Sequence, residues 1–120
     1  DPLVIRTTRV DAVLGLMDLM DAASLALPRC CLGAGGAQRP VLFLYGEQDM
    51  LVPGRMTRAA LQSLPPDSRV RMAVYPDGYH LLLAGRTRAE VVRDILAFLE
   101  NPSAPLPSGA EGNAPRWLNR

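Results

Sequence analysis

Two short apolar runs, Val41 to Tyr45 and Arg69 to Tyr75, separated by one helix-length segment, constrain this chain more than any other feature. The first run has no polar alternation, which suits a strand covered on both faces, as in a parallel sheet. Between the runs, Pro53 and Gly54 introduce a helix through about Leu64, where the Pro65-Pro66 pair stops it. Two strands joined by a crossover helix form a βαβ unit, normally right-handed and part of a parallel sheet. Two strands alone make a poor sheet, because faces and edges both need cover, so further strands are expected elsewhere.

Helical patterns flank this unit. From Arg9 to about Ala23, Val10, Val13, Leu14, Met17 and Met20 recur at helical spacing with Asp11, Asp18 and Asp21 mostly opposite, so an amphipathic helix with a core-facing stripe is expected. Thr87 followed three residues later by Glu90 reads as a capping box, and Val91, Val92, Ile95, Leu96 and Leu99 give the next helix its apolar face. The order helix, strand, helix, strand, helix defines an α/β chain with an incomplete sheet. Residues 1–100 form the structured part, with the first helix in 1–27 and strand, helix, strand and helix in 40–99. The segment 101–120 is rich in proline, glycine and small polar residues without periodicity, and is expected to be a disordered or loosely docked tail in which only Trp117 could anchor.

Composition removes several function classes. With 13 basic and 12 acidic residues, a net charge of +1 and no clustering of arginines, the chain lacks a nucleic-acid footprint. The three aspartates inside the most apolar stretch, Val10 to Leu27, argue against a transmembrane span. Adjacent Cys30 and Cys31 fit neither a loop-closing disulfide nor a zinc site and read as reduced thiols in a connecting loop. The "GAGG" at 33–36 precedes a strand and is not a dinucleotide fingerprint. No cofactor and no metal are implied. The opening "DPLVIRTTRV" shows no signal peptide and reads as though it starts mid-protein; a cytoplasmic or membrane-peripheral location is expected.

Two residues carry the chemistry. In open α/β sheets, ligands and catalytic groups gather beyond the carboxyl ends of the strands. Asp49 lies just past the first run, and "PDGYH" after the second places His80, the only histidine, at the equivalent position. Their separation, 80 − 49 = 31 residues, is what one crossover consumes. A carboxylate presented to an imidazole is the orienting half of a catalytic triad. The competing readings are that Asp49 caps the next helix, that Glu47 is the acid instead, and that Asp77 serves the turn before Gly78.

"PVLFLYGEQDMLVP" and "YPDGYHLLL", followed by "EVVRDILAFL", resemble the C-terminal part of α/β-hydrolases of the lysophospholipase and monoacylglycerol lipase group, of serine aminopeptidase S33 type. "DPLVIRTTRVDAVLGLMDLMDAA" resembles the segment by which such proteins leave the cap and return to the sheet. The resemblance covers about residues 1–99 and implies Asp49 as triad acid, His80 as triad base and a serine in a G-x-S-x-G elbow as nucleophile. The order of that fold is Ser, then Asp or Glu, then His. None of the five serines, Ser24, Ser63, Ser68, Ser103 and Ser108, has the context of an elbow. The chain is therefore expected to be a C-terminal fragment, inactive alone, of a hydrolase acting on a lipid-like ester. Other α/β-hydrolase chemistry (peptidase, epoxide hydrolase, dehalogenase) and a non-catalytic remnant or interaction module are the alternatives.

Overall fold

The computed structural model describes residues 7–30 and 39–120. Strand β1 runs Val41–Gly46 and strand β2 Val70–Tyr75, paired in parallel with Val41 opposite Val70 and Gly46 opposite Tyr75. Helix α1 (Val10–Ala26) precedes them, α2 (Gly54–Gln62) lies between them in sequence, and α3 (Arg88–Glu100) follows. Helix and strand content with a small parallel two-stranded sheet is compatible with part of an α/β fold.

Both faces of this sheet are covered, as the unbroken apolar run requires. Alternate residues point to opposite faces. One side gathers Tyr45 and Val74 with Leu61 of α2, and Phe43 and Met72 pack around them. The other gathers Ala73 and Tyr75 with Val91 of α3, and Leu42, Leu44, Ile95 and Phe98 surround these. In α2 the buried residues, Thr57 and Leu61, are one helical turn apart, and the Ser63 hydroxyl donates to the Ala60 carbonyl where the helix stops.

Residues 101–120 depart most from expectation. Instead of a disordered tail they fold onto the sheet, with a 3₁₀ turn at Ala110–Asn113 and a short helix, α4, at Ala114–Leu118. Leu106 and Ala110 complete the core on the α3 side, while Ala114 and Trp117 complete it on the α2 side. The segment is held by polar staples that no periodicity encodes. Arg71 of β2 donates to both Glu111 oxygens, at 2.8 and 2.7 Å, and Asn113 Nδ2 donates to the Val74 carbonyl at 2.9 Å. Fully buried Asp94 accepts from the Tyr75 hydroxyl at 2.7 Å and from the Ser108 N–H at 3.0 Å. Burial raises the Tyr75 phenol far above its ordinary pKa, and the bond to Asp94 adds to the shift. Gly109 turns the chain at φ 70°, a left-handed conformation that glycine adopts without strain.

Three other expectations need correction. The stripe of α1 is not core: Val10, Val13, Leu14, Met17 and Met20 are all exposed, because nothing among the described residues packs on that helix. The capping box does not form. Thr87 is the N-cap of α3 but makes no side-chain cap bond, and its backbone ψ of 0° is far from the extended geometry a cap uses. Its Oγ1 is buried without a hydrogen-bond partner. In α3 only two of the five residues of the expected face are used: Val91 and Ile95 pack inward beside Asp94, while Val92, Leu96 and Leu99 remain exposed. The expectations for Cys31, for the "GAGG" stretch and for the first six residues lie outside the described residues.

Candidate active site

The carboxyl ends of β1 and β2 are stitched together by backbone before any side chain is considered. Glu47 N–H donates to the Tyr75 carbonyl at 2.9 Å, and Gln48 N–H donates to the Gly78 carbonyl at 2.9 Å. The Gln48 side-chain amide adds a bond to the Pro76 carbonyl at 3.1 Å. This approach requires Gly46, since a Cβ there would sit 2.5 Å from the Gly78 oxygen and 2.6 Å from the Tyr79 oxygen. Gly78 is less constrained, as its Cβ would meet the movable tip of the Leu82 side chain at 2.6 Å and Gly46 Cα only at 3.0 Å. A side chain at position 46 would push the two loops apart.

On this platform Asp49 and His80 meet. Asp49 Oδ2 lies 2.9 Å from His80 Nδ1, and Asp49 Oδ1 accepts from the N–H groups of Leu51 at 2.8 Å and Val52 at 2.9 Å. The Asp49 side chain is 7% exposed and that of His80 41%. Burial raises the Asp49 pKa, but the Val52 N–H, the His80 ring and the Leu51 N–H outweigh it, so the carboxyl titrates below the ordinary aspartate range. An ionised carboxylate at Nδ1 fixes the N–H on that nitrogen and leaves Nε2 to take a proton.

Asp49 does accept local N–H groups, but through the oxygen that His80 does not use, and the N-cap of α2 is Pro53. Glu47 pairs with Arg120 instead of His80. Asp77 lies in the turn closed by the Gly78 N–H donating to the Tyr75 carbonyl at 3.0 Å. Sequence reasoning missed Gly46, Gly78 and Tyr45, whose hydroxyl donates to the Val52 carbonyl at 2.9 Å. The glycine immediately after an apolar run was the available signal for a close approach.

Beside the imidazole lies an open hollow of about 440 Å³ lined by Leu44, Leu81, Leu82, Leu83 and Ile95. Three of the five serines are engaged elsewhere: Ser24 Oγ donates to the Met20 carbonyl, Ser63 Oγ to that of Ala60 and Ser108 Oγ to Asp94. Among the described residues no three His, Cys, Asp or Glu side chains group as metal ligands would, and no helix is long and apolar enough to cross a membrane.

A parallel strand pair with an Asp–His contact beyond its carboxyl ends is an arrangement of the α/β-hydrolase class. The family described as "Serine aminopeptidase, S33" matches residues 1–87, and the chain belongs to it, within the α/β-hydrolase superfamily. Neither a curated protein nor a solved structure matches the chain.

Proposed function

We propose that this chain supplies the acid and base of a serine hydrolase that cleaves carboxylic esters of lipid type, such as lysophospholipids or monoacylglycerols. The observation that carries the reading is the 2.9 Å contact between Asp49 Oδ2 and His80 Nδ1. His80 Nε2 removes the proton of a serine hydroxyl as it attacks the ester carbonyl, and Asp49 stabilises the imidazolium that results. His80 then returns the proton to the leaving alcohol, and water hydrolyses the acyl-enzyme by the same base. The nucleophile comes from a G-x-S-x-G elbow outside these 120 residues, none of whose serines has that context. The hollow of leucines beside His80 supports an apolar acyl portion in the substrate.

A peptidase is the second reading, favoured by the family's own description. Asp and His are shared by both chemistries, and the missing nucleophile and oxyanion hole decide between them. A non-catalytic remnant is the third, favoured by the lack of an elbow serine in the chain.

In a form of the protein that carries the elbow, fluorophosphonate labelling and hydrolysis of monoacylglycerols should both be lost in His80→Ala. Asp49→Asn should leave binding largely intact and reduce turnover by about 10⁴-fold, on the scale of serine protease triads. The 120-residue chain alone should neither label nor hydrolyse short p-nitrophenyl esters. Turnover of aminoacyl p-nitroanilides but not of esters would select the peptidase. A silent Asp49→Asn beside a crippling Glu47→Gln would reassign the acid.

A further inference from the structure

The loop bearing Asp49 is tied through Glu47 and Gln48, but its outer part is not. Met50 is 91% exposed and Leu51 73%, so the outer side of the loop is anchored to nothing among the described residues. Yet both N–H groups that Asp49 Oδ1 accepts, those of Leu51 and Val52, belong to this loop. Their positions depend on what holds it from behind.

The Tyr45 hydroxyl supplies that hold through its 2.9 Å bond to the Val52 carbonyl. Burial raises the Tyr45 phenol above its ordinary pKa, and the negative charge of Asp49 adds to this, so the hydroxyl remains a donor. The Tyr45 ring is in turn set by Trp117 of α4, with centroids 4.6 Å apart and planes inclined at 46°. Trp117 is only 3% exposed, and the Arg58 guanidinium sits 4.9 Å from its ring centroid. Gly54, at the start of α2, completes the cluster: a Cβ there would lie 3.3 Å from Trp117 Cζ2 and 3.4 Å from the Tyr45 hydroxyl. The C-terminal segment reaches the loop a second time, through the ion pair of Arg120 with Glu47. Trp117 and Arg120 lie beyond residue 87, where the family match ends.

We infer that Trp117 is a positioning residue for the Asp49–His80 pair, and that the C-terminal segment holds the acid loop from behind through the Tyr45 ring and the Val52 carbonyl. This inference rests on the reading of Asp49 and His80 as acid and base. Trp117 is buried and acts through Tyr45. It keeps Tyr45 where the hydroxyl pins Val52, and Val52 then presents its N–H to Asp49 while the other carboxylate oxygen faces the imidazole.

The test is a carboxyl-carbon NMR titration of Asp49 in the whole 120-residue chain, for wild type, His80→Ala, Tyr45→Phe, Trp117→Ala and Trp117→Phe. Methyl shifts of Val74 and Val91, one from each side of the sheet, report folding independently. The expected result is an upward shift of the Asp49 midpoint in Tyr45→Phe and Trp117→Ala, as the hydrogen bonds to the carboxylate weaken. Trp117→Phe should recover part of it. A purely structural role would leave Asp49 titrating as in wild type in every variant that folds. Unchanged midpoints in Tyr45→Phe and Trp117→Ala beside a raised one in His80→Ala would overturn the positioning role and leave the pair standing. An unchanged midpoint in His80→Ala would overturn the pair itself, and the positioning role with it. Should Trp117→Ala fail to fold, Tyr45→Phe decides, since it removes one oxygen and keeps the ring.

Discussion

Helix α1 and the C-terminal segment 101–120 are opposites. The 17-residue helix α1 is regular and rich in apolar residues, yet none of its residues is buried; Val10, Leu16, Leu19 and Leu25 are more than half exposed. The C-terminal segment contributes only a four-residue 3₁₀ turn and a five-residue helix, yet buries Leu106, Ala110, Ala114 and Trp117. A helix that short has little stability of its own, so tertiary packing holds it. An apolar stripe needs a matching surface, and the described residues offer none to α1. The C-terminal segment meets one on each side of the sheet.

The largest effect is expected at Trp117. Trp117→Ala removes the largest side chain of the cluster with Tyr45, Leu61 and Val74, and should destabilise the chain by about 3–5 kcal/mol in urea unfolding. A loss near zero would mean that the segment only rests on the sheet.

A smaller effect is expected at the ion pair. Glu111→Gln leaves Arg71 facing a neutral amide and should cost roughly 1–2 kcal/mol at neutral pH. The two Arg71 bonds lower the Glu111 pKa, burial opposes them, and the Leu106 N–H adds to the lowering. A carboxyl depressed by folding contributes stability that is complete above its unfolded pKa and is lost as pH falls through that range to its folded value. Asp49 has the same sign. Wild type should therefore lose stability on acidification below roughly pH 4.5, and Glu111→Gln should lose less over the same interval, as denaturation midpoints against pH would read.

Thr87 sharpens the comparison at one atom. Its buried Oγ1 has no partner, so Thr87→Val keeps the shape, removes the unsatisfied hydroxyl and should be neutral or stabilising by less than about 1 kcal/mol. A loss of that size would restore the capping role expected from sequence. The smallest effect belongs to α1. Leu14→Gln and Met17→Gln should change unfolding of the chain by no more than about 0.5 kcal/mol, because both side chains already face solvent.

What the residues disclosed follows from the same physics. The runs ending at Tyr45 and Tyr75 were legible because an unbroken apolar strand has one common use, and the positions of Asp49 and His80 followed from where such strands end. The exposure of Leu14 was not legible, since periodicity reports a helix's faces and not what lies opposite. Nor was the docking of 101–120. Its staples join residues far apart in sequence, Arg71 with Glu111 and Asp94 with Ser108, and its core residues are spaced by turns. Thr87 and Glu90 carried the spacing of a capping box without its backbone geometry. At the candidate site, Asp49 and His80 were singled out by their types and positions, whereas Tyr45 looked like one more apolar strand residue until its hydroxyl was seen on Val52.

In the proposed mechanism the Asp49 carboxylate holds the proton of His80 on Nδ1, leaving Nε2 to act as base. Because His80 is the only histidine in the chain, its two ring nitrogens can be read without ambiguity in a ¹⁵N-labelled sample. Above the pH at which the ring is neutral, Nδ1 should carry the shift of a protonated nitrogen and Nε2 that of a bare one, and Asp49→Asn should erode this preference. A neutral ring protonated on Nε2 in wild type would contradict the claim, since the acid would then orient nothing.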